Sequence, residues 1–276
     1  MRRLFLPIAA FLLAAWTFGG PLRASAQTVT PPPGGKVSGR IVNQNQGTVV
    51  SESLEVMLHI WDKDFVDINM LHGQSAPDGT YVFTEVELQP QYLYGVMAIF
   101  EGVSYLSQIL PPGDGSGSLE LEVQVYETTK DTSTIQIDQL HVLFDFAEDG
   151  LETTEIYALS NSGERTVKDA LSLDDGTQAT SLYPLPADAD YIFFQPEEEG
   201  RFIKFPGGYA DTSPLLPGTQ SGQHAVNYLV PYSQERTYRY VSPFNIKAMN
   251  FLLPQNAGVS LRGEGLAGPQ LATLSN

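Results

Sequence analysis

Leu119-Glu120-Leu121-Glu122-Val123-Gln124-Val125-Tyr126 (LELEVQVY) alternates apolar and polar residues without a break. Successive side chains of a strand point to opposite faces. Leu119, Leu121, Val123 and Val125 therefore face a core, and Glu120, Glu122 and Gln124 face water. Upstream, further short β-rich runs recur at the spacing of an antiparallel sandwich. Strands are expected at Val37–Asn43, Leu54–Trp61, Val66–Leu71, Tyr81–Val86, Tyr92–Phe100 and Ser104–Ile109, so that LELEVQVY completes seven. Downstream the reading continues with Thr134–Phe146, Glu155–Asn161, Gln178–Leu185, Tyr191–Gln195, Arg201–Lys204, His224–Pro231, Arg236–Val241, Ile246–Leu253 and Val259–Arg262. No window holds a capped 3.6-residue apolar period, so no long helix is expected. The fold class is all-β: two consecutive antiparallel β-sandwich domains.

The first 26 residues read as an export signal. Arg2 and Arg3 precede the uncharged run Leu4–Phe18, and Ala24-Ser25-Ala26 supplies a small-x-small cleavage site. Residues 27–35 (QTVTPPPGG) are a tether, because three consecutive prolines fix φ and remove donors. The sandwiches are expected over 36–127 and 128–264, with a boundary near Thr128–Ser133 and a tail over 265–276.

Composition narrows the chemistry. The 276 residues hold 15 Lys and Arg against 32 Asp and Glu, and no cysteine. Removing residues 1–26 takes away Arg2, Arg3 and Arg23, leaving 12 basic residues against the same 32 acids, a net charge of −20. Such a surface lacks the cations that nucleic acid requires. Without cysteine there are no disulfides, thiolate metal sites or cysteine nucleophiles. The exported chain must rest on packing.

Gly39-Arg40-Ile41-Val42-Asn43, Asp78-Gly79-Thr80-Tyr81-Val82-Phe83, Tyr94 and Gly102-Val103-Ser104-Tyr105 together resemble the carboxypeptidase regulatory-like domain, a transthyretin-like, Ig-like sandwich. The second half, at Ile156–Thr166, Leu215–Gly218 and Tyr228–Tyr232, looks like a sandwich that accompanies such domains in exported bacterial proteins. The resemblance implies an accessory module, with no catalytic residues to carry over.

The residues themselves point the same way. His59, His72, His141 and His224 show no H-E-x-x-H spacing, so no zinc site is expected. Asp62–Asn69 (DKDFVDIN) is dense in oxygen ligands but departs from an EF-hand loop at Val66 and Asp67, and reads as a solvated turn. Glu197-Glu198-Glu199-Gly200 reads as an acidic hairpin end. Ser221 lies near His224 only in sequence, without a G-x-S-x-G elbow. Tyr183, Tyr191, Tyr209, Tyr228, Tyr232, Tyr238 and Tyr240 form either a stacking platform or ordinary strand packing, and Trp61 is the aromatic whose exposure matters most.

The expectation is a non-enzymatic exported protein, periplasmic, cell-surface or extracellular, acting as a structural or interaction module of the bacterial envelope or exterior. It carries no expected catalytic residue, metal or cofactor, no membrane span within residues 27–276, and a protein or glycan partner. The alternative is a carbohydrate- or calcium-binding accessory module of a partner enzyme.

Overall fold

A computed structural model describes residues 34–113, 115–232, 234–255 and 260–270. The expected signal (1–26), residues 27–33 of the tether and 271–276 of the tail lie outside the described residues. Those described are all-β, with several mostly antiparallel sheets and no helix. None of them forms a helix long and apolar enough to cross a membrane. The described residues between 34 and 255 belong to one compact unit that contains two hydrophobic cores.

The first core lies between two sheets. Its strands are β1 (Gly35–Asn43), β2 (Thr48–Val49), β3 (Glu55–Trp61), β4 (Asp67–Gln74), β5 (Thr80–Val86), β6 (Leu93–Phe100), β7 (Val103–Leu106), β8 (Ser118–Glu120) and β9 (Val123–Val125). One sheet is the antiparallel ladder β4-β3-β6-β7. The other is built on β1, which pairs antiparallel with β5 and β2 and parallel with β8 and β9. Val37, Ile41, Tyr81 and Phe83 from this sheet meet Val56, Leu58, Tyr94 and Val96 from the first.

LELEVQVY faces as its alternation requires, with the four apolar residues buried and Glu120, Glu122 and Gln124 exposed. It differs in two respects. It is two short strands rather than one: the first stretch of ladder ends where the Leu121 N–H donates to the Ser38 carbonyl at 2.9 Å, and pairing resumes at Val123 opposite Ile41. It also runs parallel to β1, since alternation encodes facing but not direction. The approach is close at Gly39, where a Cβ would fall 1.7 Å from the Leu121 carbonyl oxygen. The Tyr81 hydroxyl donates to that same oxygen.

The second core is covered by β10 (Thr128–Thr129), β11 (Ile135–Ala147), β12 (Gly150–Asn161), β13 (Thr166–Val167), β14 (Leu171–Ser172), β15 (Gln178–Ala179), β16 (Ser181–Pro184), β17 (Asp190–Gln195), β18 (Phe202–Phe205), β19 (Gly208–Asp211), β20 (Gly218–Val230), β21 (Asn245–Ile246) and β22 (Met249–Leu252). The main sheet runs β17-β20-β12-β11-β21, with β22 also on β11, and a smaller one runs β16-β19-β18. The last pairings, β21 and β22 on β11, are parallel.

Four expected strands of the second half need correction, the first being Ile246–Leu253, which is the two strands β21 and β22. Arg236–Val241 is irregular: its Tyr238 ring lies against Phe144 and Phe251, so the segment crosses the main sheet's face instead of extending its edge. Within Val259–Arg262, residue 259 lies outside the described residues and 260–262 form no strand. Gln178–Leu185 is two strands, each pairing with a different neighbour. The segment expected to hold the boundary is itself bonded: Thr128 and Thr129 form a parallel ladder with Thr166 and Val167. Beside it the Tyr105 hydroxyl donates to the Tyr126 carbonyl at 2.7 Å and lies 2.8 Å from Thr166 Oγ1.

Candidate functional site

The sequence EVMLHIW of β3 is apolar at five of its seven positions, on both faces of the strand. Val56, Leu58 and Ile60 enter the first core, which leaves Met57, His59 and Trp61 on the outer face. The register extends this face across four strands. Met57 stands opposite His72 of β4 and Met97 of β6, and Met97 opposite Leu106 of β7. In the next row His59 stands opposite Met70 and Gly95. Ile99 follows on the other side of Met97, opposite Ser104.

Trp61 is the organising side chain of this face. Its ring stacks on His59 at 5.2 Å between centroids and 7° between planes. Gly95 makes room for it, since a Cβ there would lie 2.9 Å from the indole. His59 Nδ1 lies 3.8 Å from Asp67 Oδ1, while Nε2 is buried without a hydrogen-bond partner. His59, Asp67, Ile68, Asn69 and Met70 line an open pocket of about 210 Å³. At the hairpin end Phe65 adopts φ 60° and is 63% exposed. The turn is held by Asp62 Oδ1, which accepts from the Asp64 and Val66 N–H groups at 2.9 and 3.0 Å.

The oxygen-rich Asp62–Asn69 stretch is thus largely a turn with a capping aspartate. Among the described residues no group of three His, Asp or Glu side chains is placed to hold a metal ion. His72 shares the outer face with His59 and has Nδ1 3.7 Å from Glu55, while His141 sits apart on β11 with Nε2 3.0 Å from Gln139. Glu198 of the acidic run accepts from Arg201 at 2.9 Å. Ser221 and His224 are three residues apart on one strand, hence on opposite faces.

Of the seven tyrosines weighed as a platform, Tyr183 and Tyr228 are buried, and Tyr209, Tyr238 and Tyr240 pack against the second core. Tyr191 and Tyr232 are exposed. The packed hydroxyls have a common purpose. Glu155 of β12 points into the core with 1% exposure, and Tyr157, Tyr228 and Tyr238 all donate to it, Tyr228 at 2.6 Å and Tyr238 at 2.8 Å to Oε1. Burial pushes the Glu155 carboxyl up, and the three phenols pull against that rise. His224 stacks on Tyr157 at 5.0 Å and meets Tyr183 edge-on at 4.4 Å. Both its ring nitrogens are buried without hydrogen-bond partners. Burial first, and the Arg201 charge second, lower its pKa to about 3. Arg201 itself is held by a two-pronged pair to Asp211, at 3.0 Å on each prong.

Reading the sequence residue by residue misses Glu155 and the methionine face. Parity on β12 could have flagged the first, since Leu151, Thr153, Glu155, Tyr157 and Leu159 share the inward face. The second depends on pairing Met57, Met70 and Met97 across strands, and register is not written locally.

The fold and these surfaces define an all-β, sandwich-type protein with one apolar outer sheet face and one buried polar network. No protein-family model matches the chain, and no curated protein matches it. Among solved structures, an alternative pilotin from the type II secretion system of Vibrio cholerae is similar over 33% of this chain and 96% of that chain, at 6% identity and a TM-score of 0.24. A likeness of that degree carries no argument.

Proposed function

We propose that this chain is a non-enzymatic exported protein of the bacterial envelope or exterior, and that it works as an interaction module through the outer face of β4-β3-β6-β7. Export rests on the pattern of residues 1–26. The carboxypeptidase regulatory-like, transthyretin-like assignment of 36–127 rests on Gly39–Asn43 and Asp78–Phe83. One observation carries the functional reading. Met57, Met97 and Leu106 form an apolar row across three strands, on the side of the sheet that an antiparallel sandwich ordinarily turns to water.

The occupant is another protein presenting apolar side chains bordered by Lys or Arg. The four strands contain no Lys or Arg and carry Glu55 and Asp67 at their ends, on a chain of net charge −17. Like charge disfavours a second copy, and opposite charge steers a basic partner. Glu155 and His224, the groups best placed by burial to do chemistry, are enclosed in the second core. They are used there for packing.

A lysine-flanked, leucine-rich synthetic peptide titrated calorimetrically into the full chain tests this reading. Binding should weaken as salt rises, and it should be lost when Ile68 and Leu106, both exposed, become lysine. Equal heat from the Ile68→Lys, Leu106→Lys chain, or no heat at all, would overturn it. So would a salt-stable dimer in sedimentation, which would make the occupant a second copy.

A further inference from the structure

Three of the chain's five methionines, Met57, Met70 and Met97, stand on this one face together with two of its four histidines, His59 and His72. Met57 is opposite His72, and His59 is opposite Met70. Directly opposed Cβ atoms on antiparallel strands lie about 5 Å apart and diagonal ones about 7–8 Å, both within reach of an unbranched thioether. These four residues form a two-by-two block on neighbouring strands. Met97 adjoins Met57 on the third.

His59 is arranged as a donor. Its Nδ1 side faces the Asp67 carboxylate, and its Nε2 is buried without a hydrogen-bond partner. Metal-bound imidazoles ordinarily turn their other nitrogen toward a carboxylate, a carbonyl or water. His59 and Met70 line the same open pocket. The stacked Trp61 ring covers one face of the imidazole. Thioethers are soft donors and imidazole a borderline one, a set that disfavours Ca²⁺ and Mg²⁺ and, through its sulfurs, favours Cu(I).

We infer that Met57, His59, Met70 and His72 bind a soft monovalent cation, Cu(I), with Met97 as a further thioether within reach. The ion enters and leaves as Cu(I), and no electron is transferred. The inference does not rest on the docking reading, because docking uses the apolar bulk of the methionines and ion binding uses their sulfur. Leucine keeps the first and removes the second.

The test uses the full chain with Trp16→Phe, which leaves Trp61 as its sole tryptophan. Ag(I), a soft ion that needs no reductant, should quench Trp61 emission with a break at one equivalent. Cu(I), supplied anaerobically against a competing chelator, should bind at the same site. Met57→Leu with Met70→Leu should weaken both at least 100-fold while leaving the urea midpoint unchanged, since the swap conserves volume. Met249→Leu, in the second core, should change neither ion. Three outcomes would overturn the site: no quenching by Ag(I), quenching that survives the double leucine substitution, or Zn²⁺ binding as tightly as Cu(I).

Discussion

Glu155 holds three phenols in place with two oxygen atoms. Tyr228 and Tyr238 converge on Oε1, Tyr157 takes Oε2, and the whole set lies against the inner face of β12 and β20. A buried hydroxyl left without an acceptor costs about 1–3 kcal/mol. Glu155→Leu removes the acceptor that all three share and leaves Tyr157 with Tyr240, and Tyr228 with Tyr238 and Thr153, so it should destabilise by about 2 kcal/mol or more. Tyr228→Phe removes one donor and keeps the acceptor occupied by the others, and should cost about 1 kcal/mol. Urea midpoints of the two variants decide the matter. If Glu155→Leu were neutral, the hydroxyls would have other partners and the carboxylate would not be the centre of the network.

Among the elements, β1 carries the most pairings in the first sandwich. Its two halves bond β5, β8, β9 and β2, and it is admitted to this position by one missing side chain. At Gly39 a methyl group would meet a backbone carbonyl, which cannot swing aside as a side-chain end would. Gly39→Ala should therefore cost at least about 3 kcal/mol and lower the urea midpoint, with the loss concentrated in amide-exchange protection of β1, β8 and β9. Uniform loss over both cores would show instead that the strands open together. At this scale the division between what was legible and what was not is clear. Alternation in LELEVQVY announced the inward residues correctly, because facing is a local property of a pleated chain. Its parallel direction and its break at Leu121 depend on β1, some eighty residues earlier, and nothing local records them. Likewise Tyr238 and Tyr240 alternate as a strand would, yet their segment is irregular because contacts with distant rings, not a ladder, fix it. The candidate face was hidden for the same reason. Met57, Met70 and Met97 are unremarkable singly and become a surface only through the register of β4, β3 and β6.

For the molecule as a whole, the second core sets a pH window through two buried groups that act in opposite senses. His224 has a folded pKa lowered to about 3 against about 6.5 in the unfolded chain, so folding favours its neutral form. The stability tied to it is complete above about pH 6.5 and is lost as pH falls toward 3. Arg201 is the cation among the groups acting on it, and the rings of Tyr157, Tyr183 and Phe202 enclose it. Glu155 has its folded pKa raised above 4.5, so folding favours its protonated form. Its contribution is complete below about 4.5 and is lost as pH rises through the folded value. Between roughly pH 4.5 and 6.5 acidification weakens the fold through His224 and strengthens it through Glu155, and the two partly offset. His224→Phe keeps the ring contacts and removes two unpartnered nitrogens. It should be at least as stable as the parent at pH 7, and relative to the parent it should gain as pH falls across this interval. Glu155→Gln should lose relative to the parent over the same interval, because only the His224 dependence remains. Subtracting the parent's urea midpoints at each pH removes the background from the many surface carboxylates, which all three chains share. The two difference curves should diverge on acidification. Parallel curves would mean that His224 and Glu155 are not the groups that shape the acid response.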